Sequence, residues 1–247
     1  MMKISVILPT YNERGNIGEL IQKIDKNLKN SNYRDFEILV VDDNSTDGTA
    51  EAVIAAQKDC PTANVFVRKD ERGLASAIHY GIKKASGDVF VLMDSDFNHD
   101  PKDVPRLLEH LDRYDIVIGS RYVKGGRMGS SWIRHYLSLF FNLFVRVSLN
   151  LKTADNLSGF IALKRHVLDS IDMDSIFVGF GEYHIPFIYE ATKIKRFSAR
   201  EIPVIYQDRK YGNSKFQAIT FLIDYTKKVL EVRKKYRSKK SCAVVSH

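Results

Sequence analysis

Cysteine is scarce in this chain of 247 residues, which contains two. Cys60 and Cys242 lie far apart, and neither belongs to a Cys-x-x-Cys pair. This argues against a disulfide scaffold and against a thiolate zinc site, and it favours a reducing compartment inside the cell.

Long apolar runs are lacking as well. The longest candidate, residues 137–149, is interrupted by Asn142 and Arg146, and it falls short of the roughly 18 uncharged residues that span a bilayer. The apolar run at residues 4–8 is too short for the core of a signal peptide. We therefore expect no transmembrane helix, and only peripheral contact with any membrane.

The chain does have a large core and an excess of positive charge. Apolar residues make up 44% of it and charged residues 28%, which excludes a disordered chain. Lys and Arg total 38 against 30 Asp and Glu, a net charge of +8. An anionic partner is expected, but charge alone does not choose among nucleic acid, nucleotide and membrane.

Short β-branched runs alternate with helical patterns, which predicts an α/β fold with a mostly parallel sheet between helices. Strands are predicted at 4–8, 36–41, 64–67, 89–93, 116–118, 160–163 and 201–206. Helices are predicted at 17–28, 49–57, 74–85, 104–111, 132–149 and 216–235. We expect one domain over residues 1–216, followed by a C-terminal helix and basic tail over residues 217–247.

Polar residues follow three of the predicted strands, at the edge where open parallel sheets bind ligands. The three segments are Pro9, Thr10, Tyr11, Asn12 and Glu13, then Asp42, Asp43, Asn44 and Ser45, then Asp94, Ser95, Asp96, Phe97 and Asn98, of which all but Pro9 and Phe97 are polar. No glycine-rich turn follows the first strand, so neither a Rossmann nor a P-loop phosphate site is present. If a nucleotide binds, a cation held by carboxylates is the expected means of neutralising its phosphates.

The segment Asp94-Ser95-Asp96 suits such a cation. In an extended segment alternate residues face the same side, so both carboxylates can reach one ion, with Asn98 two residues further on. Ligands that are all oxygen favour Mg²⁺ or Mn²⁺ over zinc. The competing interpretation is an acidic turn that starts the next helix.

The adjacent pair Asp42 and Asp43 cannot direct both carboxylates the same way from a strand end. We expect one of them to bind a base or ribose and the other to close the turn. Tyr11 is either a core aromatic residue or, as we favour, a stacking platform for the base.

An ordered set of motifs covers about residues 3–216. The motifs are PTYNE at 9–13, VVDDNSTDGT at 40–49, GL at 73–74, DSD at 94–96, GSRY at 119–122, SGF at 158–160 and GNSKF at 212–216. The set resembles the family-2 glycosyltransferases with the GT-A fold, and its later members resemble the dolichyl-phosphate mannose synthase branch. Asn44, Thr46, Ser95 and Asn98 depart from the commoner residues of these motifs.

The resemblance implies a role for each matching residue. It assigns Pro9, Tyr11, Glu13, Asp42 and the neighbouring Asp43 to the nucleotide, Asp94 to the donor, and Asp96 and Asn98, beside Asp94, to the metal. It further implies that Arg121 and Arg134 bind a lipid phosphate, and that Arg209 and Lys215 lie in a loop over the donor. Asp94, Asp96, Arg121 and Arg134 are the expected catalytic residues.

The implied reaction is inverting transfer of mannose from GDP-mannose to a polyprenyl (dolichyl) phosphate, with Mg²⁺ or Mn²⁺. A phosphate monoester is already mostly ionised near pH 7, so no general base is needed. The alternatives are UDP-glucose as donor, or a sugar hydroxyl as acceptor, which would require Asp155 or Glu182 as base. A nucleic-acid binder is disfavoured because the strand ends are acidic.

The predicted helix at 132–149 is apolar on nearly every side, so it is either buried core or a helix in the membrane interface. We favour the interface, since a prenyl acceptor is met at the bilayer. The basic residues of 227–240 then face anionic headgroups or, alternatively, solvent. We expect a peripheral location on the cytoplasmic face of a membrane, and a membrane-embedded partner would fit it.

Overall fold

The computed structural model describes residues 2–129, 132–207, 210 and 218–244, with residues 132–134, 218–221 and 237–244 described by their backbone alone. Its strands are β1 Ile4–Thr10, β2 Phe36–Asp42, β3 Ala63–Val67, β4 Val89–Leu92, β5 Ile116–Ser120, β6 Arg127–Met128, β7 Ile161–Lys164, β8 Ala199–Pro203 and β9 Ile205–Tyr206. Its α-helices are α1 Arg14–Asn30, α2 Thr49–Ala56, α3 Leu74–Lys84, α4 Asp103–Leu108, α5 Trp132–Leu149, α6 Arg165–Asp169, α7 Met173–Ile176, α8 His184–Tyr189 and α9 Ala218–Val244. A 3-10 turn, Gly181–Tyr183, precedes α8, and a π-helical turn, Glu190–Ile194, follows it.

Seven strands form one sheet in the order β3-β2-β1-β4-β7-β5-β8. All neighbours are parallel except β7, which runs antiparallel to both β4 and β5. The mostly parallel α/β fold expected from the sequence is thus confirmed.

Both faces of the sheet are covered, which explains why its strands are nearly continuous apolar runs; every residue of β1 is buried. One core joins the sheet to α1, α2 and α4, through residues such as Ile17, Val53 and Val104. The other core joins it to α3, α5, α8 and α9, through residues such as Ile78, Val145 and Val229.

The segment predicted as a single strand at 201–206 is divided between two sheets. β8 pairs with β5, whereas β9 pairs with β6 in a separate two-stranded sheet. Val204 lies at the division: its N–H donates to Ser120, and its carbonyl accepts from Arg127, at 3.1 Å each. The prediction of one strand was wrong because a uniform apolar pattern does not reveal a change of partner.

The last helix continues to Val244, so its predicted end at residue 235 was wrong. Tyr225, Val229, Val232 and Tyr236 recur at helical spacing, and all four are buried in the core that contains α3 and α5. This helix therefore packs on the main body of the chain. Residues 216 and 217, where the predicted domain boundary falls, lie outside the described residues.

Helix α3 approaches the sheet closely at Gly81. A Cβ there would lie 2.7 Å from Ile7 Cγ2 and 3.1 Å from Val41 Cγ2, both on buried strands. We expect Gly81→Ala to lower the free energy of unfolding by about 1 kcal/mol, because overpacking outweighs the gain in helix propensity.

Gly18→Ala in α1 is the matched control, since a Cβ there would meet nothing within 4 Å. It should raise the free energy of unfolding by about 0.5–1 kcal/mol. Urea denaturation measures both variants, and equal effects would contradict the close approach of α3.

Candidate active site

The carboxyl ends of β2, β1 and β4, which are parallel neighbours, form one edge of the sheet. Thr10 pairs with Asp42 at the ends of β1 and β2, and Ile7 pairs with Leu92 at the end of β4. The loops that follow therefore leave the sheet side by side. The structure thus brings the polar residues predicted after these strands to one place.

The loops after β1 and β2 are tied to each other by backbone-to-side-chain hydrogen bonds. Asn12 N–H donates to Ser45 Oγ at 2.8 Å, and Thr46 N–H donates to Asn12 Oδ1 at 3.1 Å. Glu13 N–H donates to Thr49 Oγ1 at 2.9 Å. Asn12 has a φ of 58°, a left-handed conformation that asparagine tolerates. These contacts fix the two residues that follow Tyr11.

Asp42 directs its carboxylate onto its own loop. Oδ2 accepts the N–H of Ser45 at 3.0 Å, and Oδ1 accepts the Ser45 hydroxyl. The residue is buried. Asp42 thus closes the turn after β2, which is one of the two tasks expected of the aspartate pair.

Asp43 forms a buried ion pair with Arg68, a residue that was not predicted to belong to the site. Oδ1 accepts Arg68 Nε at 2.7 Å and also Nη2, while Oδ2 accepts the N–H of Gly73 at 2.8 Å. Arg68 further donates to Ser76 Oγ and to the Gly73 carbonyl. Gly73, at a φ of 143°, is held in a conformation that side chains rarely adopt. Both Asp43 oxygens therefore support the loop that leads into α3.

The same loop carries Arg72, whose guanidinium carbon lies 4.9 Å from the ring centre of Tyr11. Its Nη1 is 3.4 Å from the Tyr11 hydroxyl. Tyr11 is half-buried and Arg72 is exposed, so Tyr11 is a rim residue and the alternative of a core aromatic residue is wrong.

The segment after β4 is bent over residues 95–99, so the expectation of an extended segment there was wrong. Asp96 is buried, and both of its oxygens accept hydrogen bonds from Asn98. Oδ1 accepts the Asn98 backbone N–H at 3.0 Å, and Oδ2 accepts Asn98 Nδ2 at 2.6 Å. Phe97 between them has a φ of 66°. The Asp94 side chain is 40% exposed and is the accessible carboxylate of the two.

These residues fit a divalent cation that arrives with a diphosphate. A Cβ at Gly159 would lie 3.7 and 4.0 Å from the two Asp94 oxygens, so glycine leaves space beside this carboxylate. Among the described residues, no group of three or more His, Cys, Asp or Glu could enclose a metal. One or two carboxylates, completed by phosphate oxygens and water, is the arrangement typical of Mg²⁺.

His99 lies behind the Asp94 loop, and sequence reasoning missed it. Its Nδ1 accepts the N–H of Asp94 at 3.0 Å, and its ring stacks on Phe160 with centres 4.8 Å apart. Burial lowers the pKa of His99 to about 4, so the ring is neutral near pH 7. His99 therefore supports the loop as a neutral hydrogen-bond acceptor.

Arg121, at the end of β5, is buried and paired with Asp155. Asp155 Oδ2 accepts Arg121 Nε at 2.8 Å and its backbone N–H at 3.0 Å, and Oδ1 accepts Nη2 at 2.7 Å. The guanidinium carbon also lies 4.6 Å from the ring centre of Tyr206 and 5.1 Å from that of Tyr122. Arg121 is thus held through Nε and Nη2, and its Nη1 makes no hydrogen bond to Asp155.

Asp155 is an ionised carboxylate although it is completely buried. Burial alone would raise its pKa, but the charge and hydrogen bonds of Arg121 outweigh burial and hold the pKa of Asp155 below its ordinary value. Nearby His184 is also buried, and its pKa falls to about 4, chiefly through burial. Arg121 therefore supplies the positive charge that balances Asp155.

Three of the predicted site residues cannot be placed. Arg134 lies in α5, which is described there by its backbone alone, and Arg209 and Lys215 lie outside the described residues. Lys210, which was not predicted, bonds to Glu19 of α1, and its backbone N–H donates to the Asp96 carbonyl at 3.4 Å.

Helix α5 is divided into an outer apolar face and a buried face. The exposed apolar residues of the outer face are Tyr136, Leu137, Phe140, Leu143, Phe144 and Val147, and α9 adds Leu222, Ile223 and Leu230. We call this set the apolar face. No helix in the described part of the chain combines the length and hydropathy needed to cross a membrane.

The parallel sheet, its single antiparallel insertion and the acidic edge define a GT-A-type glycosyltransferase fold. The structure of glucosyl-3-phosphoglycerate synthase from Mycobacterium tuberculosis with Mn²⁺ and UDP-glucose is similar, with a TM-score of 0.72. The likeness covers 94% of this chain and 79% of that one at 21% identity, and shows the fold alone.

The chain belongs to glycosyl transferase family 2, whose profile matches residues 5–172. It is 39% identical over 240 residues to a dolichol-phosphate mannosyltransferase of Pyrococcus furiosus, covering 94% of this chain and 64% of that protein. An undecaprenyl-phosphate mannosyltransferase of Micrococcus luteus is 32% identical, with 87% of each chain covered. The chain thus spans less than two thirds of the length of the archaeal relative.

The ion pair of Arg68 with Asp43 makes a prediction for stability. We expect Arg68→Met to lower the free energy of unfolding by about 3 kcal/mol, because it leaves the Asp43 carboxylate buried without its partner. Urea denaturation measures the change.

Arg113→Met is the matched control. Arg113 is 82% exposed and lies 3.8 Å from Asp112, so its loss should cost less than about 0.5 kcal/mol. If both variants cost the same, the buried pair does not hold the loop.

Proposed function

We propose that this chain transfers mannose from GDP-mannose to a polyprenyl phosphate. The names of its relatives support the mannosyl group and the class of acceptor. The acidic edge supports a donor that binds as a nucleotide diphosphate with a cation, and the motif resemblance supports guanosine as its nucleoside.

The observation that carries the choice of acceptor is the state of Asp155. A sugar hydroxyl must lose its proton to a base, but Asp155 is buried and accepts three hydrogen bonds from Arg121. Arg121 also holds the pKa of Asp155 below its ordinary value, which makes this carboxylate a weak base. Glu182, the other candidate base, accepts the N–H of Phe180 at 3.0 Å within its own loop. A phosphate acceptor needs no base, since its second pKa is about 6.

In the proposed reaction a phosphate oxygen of the acceptor forms a bond to the anomeric carbon of mannose. The bond from that carbon to the β-phosphate oxygen breaks, GDP leaves with the electron pair, and the configuration inverts. Arg121 orients the acceptor phosphate through its charge and its Nη1 donors. Asp94 and Asp96 would hold Mg²⁺ or Mn²⁺, which when bound stabilises the charge that develops on the leaving diphosphate.

The apolar face is the proposed contact with the membrane surface. Exposed aromatic and aliphatic residues on a long helix suit the boundary between headgroups and acyl chains. Arg146 on α5 and Lys227 and Arg233 on α9 are exposed beside it and would meet anionic headgroups. The acceptor's prenyl tail lies in the same bilayer.

The transfer is tested with purified protein, MgCl₂ or MnCl₂, a short polyprenyl phosphate, and radiolabelled GDP-mannose, UDP-glucose and UDP-N-acetylglucosamine in separate reactions. We expect label to enter the organic phase from GDP-mannose alone. Chelation should abolish it, and an unphosphorylated polyprenol should accept none.

Asp94→Asn and Asp96→Asn should each reduce the transfer at least about a hundredfold, because diphosphate charge is no longer balanced. Asp112→Asn, which alters an exposed carboxylate, is the control and should leave it unchanged. Label from UDP-glucose alone, or transfer that survives chelation, would contradict the proposal.

Membrane contact is tested by sedimentation with phosphatidylcholine vesicles that contain phosphatidylglycerol. Replacing both Phe140 and Val147 by serine should weaken partitioning about tenfold or more, because two exposed apolar side chains are lost. Ile54→Ser in α2, on the other side of the sheet, is the control. Equal sedimentation of the two variants would contradict the assignment of the apolar face to the membrane.

A further inference from the structure

The buried face of α5 carries one polar residue among the side chains described there, those of residues 135–149. This residue is Asn142, which lies between the buried Phe141 and the exposed Leu143 and is itself 1% exposed. A polar group in a core requires hydrogen-bond partners, and such a group often fixes one arrangement of the elements that it joins. Its partners therefore indicate what α5 is joined to.

Asn142 joins α5 to the turn at residues 153–157. Its Oδ1 accepts the backbone N–H of Asn156 at 2.7 Å, and its Nδ2 donates to the Ser138 carbonyl one helical turn earlier at 3.0 Å. Asn156 is completely buried, and its own Nδ2 donates to the Thr153 carbonyl at 3.1 Å. The contact with Asn142 is thus part of a buried network.

The residue next to Asn156 is Asp155, the partner of Arg121. On the far side of the turn, Glu201 of β8 accepts the N–H groups of Ala154 and Asp155 at 2.8 Å each. The turn is therefore held by β8 on one side and by α5 on the other. Movement of the Asn156 backbone displaces the adjacent carboxylate, and with it the guanidinium group bonded to it.

We propose that Asn142 is a positioning residue for Arg121. By accepting the Asn156 N–H it seats the Asp155 turn against α5, so that the Arg121 guanidinium is held where the acceptor phosphate enters. This inference rests on the proposed function for the role of Arg121. The link between Asn142 and Arg121 is a statement about structure and can be tested without the reaction.

The structural link is tested by NMR of the full chain labelled with ¹⁵N. The Arg121 Nε–H signal, identified by its absence in Arg121→Lys, should be slow to exchange with water in the wild type. In Asn142→Leu, which removes the acceptor and keeps the volume, exchange should become at least tenfold faster. Unchanged exchange in this variant would overturn the proposal, whether or not the protein transfers mannose.

The functional consequence is tested by kinetics of the same variant. Asn142→Leu should raise KM for a short polyprenyl phosphate tenfold or more, while KM for GDP-mannose changes less than twofold.

Val145→Ala separates positioning from general loosening, because Val145 is fully buried on the same face of α5 and makes no polar contact with the turn. It should leave Arg121 exchange and acceptor KM within twofold of the wild type. A rise in acceptor KM as large as that of Asn142→Leu would overturn the inference. Absence of transfer by the wild type would instead overturn the proposed function, and the exchange measurement would still decide the role of Asn142.

Discussion

A completely buried carboxylate, Asp155, is the constraint around which one side of the site is built. A charge without water requires a matched partner and full hydrogen bonding, and Arg121 supplies both through its guanidinium and its backbone N–H. The aromatic rings of Tyr122 and Tyr206 lie against the guanidinium group. Removing the carboxylate would leave a buried cation, so neither residue is replaceable alone.

The other side of the site is organised by a second buried pair, Asp43 with Arg68. In both pairs the carboxylate takes bonds from a backbone N–H as well as from a guanidinium group, so each pair fixes a loop and not merely two side chains. In each pair the charge of the buried carboxylate is balanced by its arginine. Asp94, which is 40% exposed, remains the accessible carboxylate at the edge.

The fold could be predicted from the sequence because each βα unit is local. Buried strands such as β1 are uninterrupted apolar runs, and the polar residues after β1, β2 and β4 meet at one edge whatever the details of the loops. Arg68 and His99 could not be predicted, because their roles depend on contacts with residues that no periodicity connects. The bend at Phe97 was missed for a related reason, since its positive φ follows from the hydrogen bonds of Asp96 and not from residue type.

The sheet order has a consequence for synthesis on the ribosome. Strands β1 to β4 complete their mutual pairing within residues 4–92, whereas the outer edge of β4 is covered by β7, which begins only at Ile161. Closing so long a loop is slow compared with forming successive βα units. The half that carries Asp43 and Asp94 can thus form on the nascent chain while β4 still presents an unpaired apolar edge, the kind of surface that recruits foreign strands or chaperones. When β7 pairs with β4, it covers that edge and brings the turn with Asp155 into place. The exposure of the β4 edge to aggregation therefore ends when the second half of the site forms.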